Sequence, residues 1–202
     1  MRAEPFSPIL QKMVDRMEAV TRRTFAARDI PKGWHLNTCL VNYYGNRWDG
    51  ERWLDTARVG DHKDYEPGPV ASLSFGERAF FQFVSSYRKG QRHSVVFQQW
   101  LEDGSLQMFA GPRWKDELFH RVQRVEKKRG HYFPVSVERF QVRRINLTLR
   151  FVPEAHIQTV QQLPRGTAQD VEPYLRELAK NSSFFRQEVQ AWNQLAWNQR
   201  TF

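Results

Sequence analysis

His62-Lys63-Asp64 sets two metal-capable side chains two residues apart. In an extended strand residues i and i+2 share a face, so His62 and Asp64 would point one way and Lys63 the other. A third candidate ligand is His120, inside the strand-like run Glu117-Leu118-Phe119-His120-Arg121-Val122. Two imidazoles and one carboxylate on one side of an ion leave three positions open, a set suited to ferrous iron that takes a bidentate co-substrate and dioxygen. In a chain with six histidines a His-x-Asp also arises by accident, and the pattern needs independent support.

That support is Arg144-Ile145-Asn146-Leu147-Thr148-Leu149-Arg150. Alternation puts Arg144, Asn146, Thr148 and Arg150 on one strand face and the three aliphatic residues on the other. Directing two guanidinium groups inward is unfavourable unless an anion receives them. The dicarboxylate 2-oxoglutarate is such an anion, because a guanidinium fork holds a carboxylate through two parallel hydrogen bonds. The same alternation also describes a strand whose polar face is wet.

These residues need a scaffold, and the chain can build one. Its 202 residues, 40% of them hydrophobic, suffice for one compact domain with a small appendage. A single cysteine, Cys39, excludes an intramolecular disulfide and any multi-cysteine zinc site. There is no apolar run of about 18 residues and no signal-peptide stretch, so the expectation is a soluble intracellular protein, cytoplasmic or, in a eukaryote, nuclear, without membrane association and monomeric. The net charge is +9, and residues 121–150 carry nine Lys/Arg against Glu126 and Glu138. Such a field suits a polyanion, nucleic acid before an anionic membrane surface; it also suits a plain solvated face.

Ser7 as N-cap and Pro8 in the first turn predict a helix over 7–24, with Ile9, Leu10, Met13, Val14, Met17 and Val20 on helical spacing. From about 36 to 152 the pattern changes to short apolar or alternating runs at 36–44, 70–75, 79–84, 94–100, 106–110, 118–125 and 142–152, parted by Gly45, Gly76, Gly90, Gly104 and Gly111. After Pro153 the chain turns helical again, with Val171, Tyr174, Leu175 and Leu178 on one face and Phe184, Phe185, Val189, Trp192 and Leu195 on a second. The expected class is mainly β with flanking helices, an α+β chain with a sandwich or jelly-roll core. Residues 1–35 would form a helical segment packed on the core, 36–152 the β domain and 153–202 a helical extension lying against the sheet.

Leu40-Val41-Asn42-Tyr43-Tyr44, His62-Lys63-Asp64, Val70-Ala71-Ser72-Leu73-Ser74-Phe75-Gly76, Gly104-Ser105-Leu106, His120 and the Arg-x-Asn-x-Thr-x-Arg segment follow one another as in the AlkB family of nucleic-acid dealkylating oxygenases, which residues 36–152 resemble. The resemblance implies a double-stranded β-helix core, iron(II) at His62, Asp64 and His120, and 2-oxoglutarate touching Asn42, Tyr44, Arg144, Asn146 and Arg150, with dioxygen as the other co-substrate. It further implies that Arg144 pairs with the distal carboxylate, that Arg150 lies near the metal-bound end and Asp64, and that Glu66 touches a flipped base. The implied reaction removes N-alkyl groups from bases of DNA or RNA, converting 2-oxoglutarate to succinate and carbon dioxide and a methyl group to formaldehyde.

A base must leave its stack to reach a buried iron. Trp34, Trp48, Trp53 and Tyr65 are candidates to stack on it, with Arg47, Arg52, Lys127 and Lys128 to hold phosphates; Trp48 and Trp53, flanked by arginines, are favoured. Trp100, Trp192 and Trp197 read as packing, and His35, His93, His131 and His156 lack a partner at ligand spacing. Seventeen residues between Tyr44 and His62, a charged insertion at 126–131 and the helical tail bear on the target rather than the chemistry. They keep open an oxygenase acting on a protein or small molecule. A catalytically silent nucleic-acid-binding module is the remaining reading, against which the intact set of costly charged residues argues.

Overall fold

The computed structural model describes residues 3–85, 94–123, 133, 139–158, 162–163 and 165–198. The charged insertion with Lys127, Lys128 and His131, and His93, lie outside the described residues. Contacts divide the chain into two units, residues 12–151 and residues 1–11 with 152–202.

The first helix, α1 (Pro8–Thr24), opens as the sequence predicts: the Leu10 amide donates to Ser7 Oγ at 3.4 Å. Its inner face buries Val14, Met17 and Thr21. The Thr21 hydroxyl donates to the Met17 carbonyl at 2.7 Å and meets Met108 Sδ at 3.3 Å, while Glu18 accepts from the Leu36 amide at 2.7 Å. These contacts tie the later turns of α1 to the β domain.

Among the described residues nine strands follow: β1 (Thr38–Trp48), β2 (Trp53–Asp55), β3 (Val59–His62), β4 (Val70–Gly76), β5 (Ala79–Val84), β6 (Val95–Leu101), β7 (Leu106–Phe109), β8 (Phe119–Gln123) and β9 (Phe140–Arg150). They form a five-stranded sheet in the order β2-β1-β9-β4-β7 and a four-stranded sheet in the order β3-β8-β5-β6, with all pairings antiparallel. Strands distant in sequence are neighbours in both sheets, the topology of a double-stranded β-helix. Val70, Ala79, Phe81, Phe83, Leu101, Phe109, Leu118 and Val122 make the hydrophobic cluster. The periodicity found seven of these strands and missed β2 and β3. Three residues at β2 and the polar Val59-Gly60-Asp61-His62 at β3 are too short to show a period. Trp100 departs from the packing reading: it sits half-exposed on the outer face of the edge strand β6, beside Phe80 at 4.7 Å and under Arg78 at 4.2 Å.

In the other unit, α2 (Arg165–Ala179) and α3 (Ser183–Asn198) pack on one another. Arg176 donates to Glu172 at 2.9 Å and to Asn193 at 3.2 Å across the pair. Ser182 caps α3 by accepting from the Phe185 amide at 3.2 Å. Of the face expected on α2, Leu175 is buried while Tyr174 and Leu178 are exposed. Among the described residues no helix is long and apolar enough to cross a membrane.

Candidate metal and 2-oxo acid site

His62 ends β3, Asp64 follows just beyond it, and His120 lies opposite His62 in the β3–β8 register. Their ligand atoms all lie within 4.8 Å of one another, a spacing from which small rotations bring three donors to one ion. His120 Nε2 stands 3.5 Å from Asp64 Oδ2. The His62 Nδ1–H donates to the Gly60 carbonyl at 2.8 Å, which leaves Nε2 with its lone pair for a metal. Phe81 stacks on the His120 ring at 5.6 Å, and Phe83 and Phe109 meet it edge-on. Lys63 turns outward: its ammonium donates to the Asp116 carbonyl and lies over Phe119.

The register of the five-stranded sheet lays the other residues out in rows on its inner face. Tyr44 and Gly76 flank Arg144; Asn42 and Ser74 flank Asn146; Leu40 and Ser72 flank Thr148, with Gln107 beyond Ser72; Thr38 pairs with Arg150. Across from this largely polar wall stand Val59, Val122, Phe81 and Leu101 of the four-stranded sheet, and between the two walls lies a cavity of about 200 Å³. His62, Asp64, His120, Arg150, Tyr44 and Arg144 all line it. Asn146 donates to Ser72 Oγ and to the Leu73 carbonyl, both at 2.8 Å, and Thr148 donates to Asn146 Oδ1 at 2.8 Å. The polar face of β9 is therefore an interior one.

The two arginines differ. Arg150 is engaged, donating from Nη2 to Asp64 Oδ1 at 2.5 Å, with its Nε 3.6 Å from Glu66 Oε2. Arg144 donates from Nη2 to Ser74 Oγ at 2.9 Å and lies over the Tyr44 ring at 4.7 Å, but its Nε and Nη1 are buried without a hydrogen-bond partner among the described residues. Burial drives the Arg144 pKa down against the help of Tyr44, and burial raises that of Tyr44. A buried guanidinium with two idle donors fits a ligand carboxylate. The three-ligand cluster and this receptor fit a ferrous ion and a dicarboxylic 2-oxo acid in one slot.

Comparison with known proteins agrees with that geometry. The sequence model of the 2OG-Fe(II) oxygenase superfamily matches residues 1–150. The chain belongs to this superfamily. Within it the likeness is to AlkB-type members: the chain is 31% identical to DNA oxidative demethylase ALKBH2 of Homo sapiens over 54% of its length, and 35% identical to that of Mus musculus over the same share. It spans only 38% and 41% of those relatives. The solved structure of OsALKBH1 matches with a TM-score of 0.44 at 23% identity, covering 72% of this chain and 66% of that one.

Not every residue expected at the site is gathered there. Glu66 and Tyr65 follow the candidate ligand Asp64 directly, Glu66 half-buried beside Arg150 and Tyr65 88% exposed. Trp48 and Trp53 pair at the far tip of the β1–β2 hairpin, rings 5.5 Å apart, with Arg47 and Arg52 exposed alongside. Trp48 is ten residues along β1 from Thr38, the partner of Arg150, which is roughly 30 Å at strand rise. The hairpin thus carries these four residues away from the His62–Asp64–His120 cluster. Trp34 is 1% exposed and closed off beneath Arg22, which removes it as a stacking platform. The sequence reading missed Lys115, in a π-helical turn over Arg113–Glu117: it is 7% exposed, and its ammonium has no hydrogen-bond partner among the described residues. Burial lowers its pKa, opposed by the charges of Asp64 and Glu66. Nothing in a run as charged as Arg-Trp-Lys-Asp-Glu marks one member as buried.

Burial, with His62 beside it, pushes the His120 imidazole from 6.5 down to about 4. The unfolded chain therefore takes up this proton first. Stability from His120 is full above about pH 6.5 and is lost as pH falls toward 4, on the order of 3 kcal/mol in all. Urea midpoints of the metal-free protein at pH 7.5 and 5 should differ, and His120→Gln should narrow the difference. A pH difference that His120→Gln leaves unchanged, or no pH difference at all, would mean the ring is not held neutral.

Proposed function

We propose that this protein is an iron(II)- and 2-oxoglutarate-dependent dioxygenase that removes N-alkyl groups from bases of DNA or RNA. The observation that carries the reading is the pairing, in one slot, of the His62–Asp64–His120 cluster with the partnerless donors of Arg144. His62, Asp64 and His120 would hold the metal, and Arg144, with Ser74 and Tyr44, the distal carboxylate; Asn42 and Asn146 would line the body of the co-substrate. Bound iron(II) supplies, with 2-oxoglutarate and dioxygen, oxidation of a C–H bond coupled to decarboxylation of the oxo acid to succinate. Arg150 orients Asp64, and the Val59, Phe81, Leu101 and Val122 wall keeps water from the slot. An N-methyl group so oxidised leaves as formaldehyde, and the base keeps the proton.

A nucleic-acid target is supported by the relatives named DNA oxidative demethylase, by the net charge of +9, and by Glu66 and Tyr65 beside the ligand Asp64. The basic stretch 121–150 serves the surface less than its composition suggests. Arg143 and Arg144 are buried, Arg150 engages Asp64 and Arg121 engages Asp61 at 3.4 Å. Lys127 and Lys128 remain as phosphate contacts by sequence. Reversing both to Glu should weaken binding to single-stranded DNA and lower the slope of log K against log salt by about 1.4. An unchanged slope would place the phosphate contacts elsewhere.

The deciding experiment is mass spectrometry of an oligonucleotide carrying 1-methyladenine or 3-methylcytosine, incubated with the protein, ferrous iron, ascorbate and 2-oxoglutarate, with succinate followed in parallel. Loss of one methylene unit is expected. Succinate without that loss would move the target to a protein or small molecule, and neither signal would overturn the oxygenase.

A further inference from the structure

Two arginines stand side by side on β9, both buried, and their surroundings treat them oppositely. Arg143, 1% exposed, donates from Nε to Glu77 Oε2 at 2.8 Å, from Nη2 to Asp55 Oδ1 at 3.1 Å and from Nη1 to Asn46 Oδ1. Its neighbour Arg144 has a serine hydroxyl and a tyrosine ring and, among the described residues, no carboxylate. At Arg143 burial is outweighed by the bonds to Glu77 and Asp55 and the pKa rises, whereas at Arg144 burial prevails.

Arg143 is also where the ladder breaks. Tyr44 pairs with Arg144 and Gly45 with Val142, so Arg143 is the extra residue of a β-bulge, a feature that re-aims side chains. The backbone closes tightly around it. The Glu77 amide donates to the Arg143 carbonyl at 2.9 Å, and a Cβ added at Gly76 would come 2.4 Å from that same oxygen. At Gly45 a Cβ would come 1.8 Å from the Gln141 carbonyl. Asn46 of β1, Asp55 of β2 and Glu77 from the β4–β5 turn therefore converge on a residue that does not line the slot.

We propose that Arg143, with Asn46, Asp55 and Glu77, is the positioning device of the distal-carboxylate pocket. It fixes the bulge that turns Arg144 into the slot, and it occupies the two local carboxylates so that Arg144 stays available to a ligand. The device selects dicarboxylic over monocarboxylic 2-oxo acids. This rests on the oxygenase reading above.

The test is calorimetric, on the full chain with manganese(II) in place of iron, comparing 2-oxoglutarate with 2-oxobutanoate, which lacks the distal carboxylate. Arg143→Gln should weaken 2-oxoglutarate by about tenfold or more, as loss of an outer supporting group does, with 2-oxobutanoate and manganese unchanged. Glu77→Gln and Asp55→Asn, gentler changes that decide the matter if Arg143→Gln does not fold, should give the same selective loss at several-fold. Equal losses for both acids would mean general loosening and overturn the proposal, as would undiminished preference for 2-oxoglutarate in every folded variant. A wild-type protein that shows no preference overturns the oxygenase reading as well, which separates the two failures.

Discussion

Arg144→Met is expected to weaken 2-oxoglutarate binding by about a hundredfold, to leave metal affinity unchanged, and to make the ligand-free protein more stable. The affinity loss follows from removing one side of a buried charged hydrogen-bonded pair, worth about 2–5 kcal/mol, with about 1.4 kcal/mol per factor of ten. The gain in stability has a different origin. Without ligand, Nε and Nη1 of Arg144 are desolvated and unpaired, and a methionine of similar length keeps the packing without that penalty. A net gain of about 1 kcal/mol would raise the melting temperature by a few degrees. Calorimetric titration and a thermal melt check both halves. Unchanged affinity would place the carboxylate clamp elsewhere; a lower melting temperature would show that the stack of Arg144 on Tyr44 outweighs the idle donors.

Asp64→Ala should abolish iron-dependent succinate formation while the β domain stays folded. Loss of even an outer supporting group commonly costs about 10–100-fold, so loss of a ligand should exceed about a hundredfold. The fold survives because Arg150, which loses its 2.5 Å partner, still has the Glu66 carboxylate 3.6 Å away. The expected stability loss is about 1–3 kcal/mol, less than for a fully stranded buried charge. Manganese binding followed by magnetic resonance, with succinate counted in parallel, is the check. A variant that makes succinate at the wild-type rate would remove Asp64 from the metal.

The strand alternation at 144–150 was readable because period-two polarity survives wherever a strand runs regularly between two layers. It left open a wet face, which the structure closes by burying Arg144 and bonding Asn146 and Thr148 to their neighbours. One residue upstream the same logic fails. Arg143 and Arg144 are both interior, because the bulge at Tyr44/Gly45 resets the alternation, and nothing in the local sequence announces it. Lys115 is illegible for a related reason: its burial comes from how the π-helical turn packs, not from its neighbours in the chain. Trp48 and Trp53 could be named from the chain as an aromatic and basic loop, but their position ten residues along β1 from Thr38 is set by register alone.

The sequence by itself determined the chemistry on offer: His62 with Asp64, His120 and the polar stretch of β9 are local patterns, and side-chain type with strand spacing suffices to list them. The tertiary structure decided which of them share a cavity, which arginine is spent on Asp55 and Glu77 and which is left idle, and which aromatics lie far along β1 from the His62–Asp64–His120 cluster. Those outcomes depend on strand register and sheet order, which arise from contacts among residues tens of positions apart and leave no periodic trace in any short window of the chain.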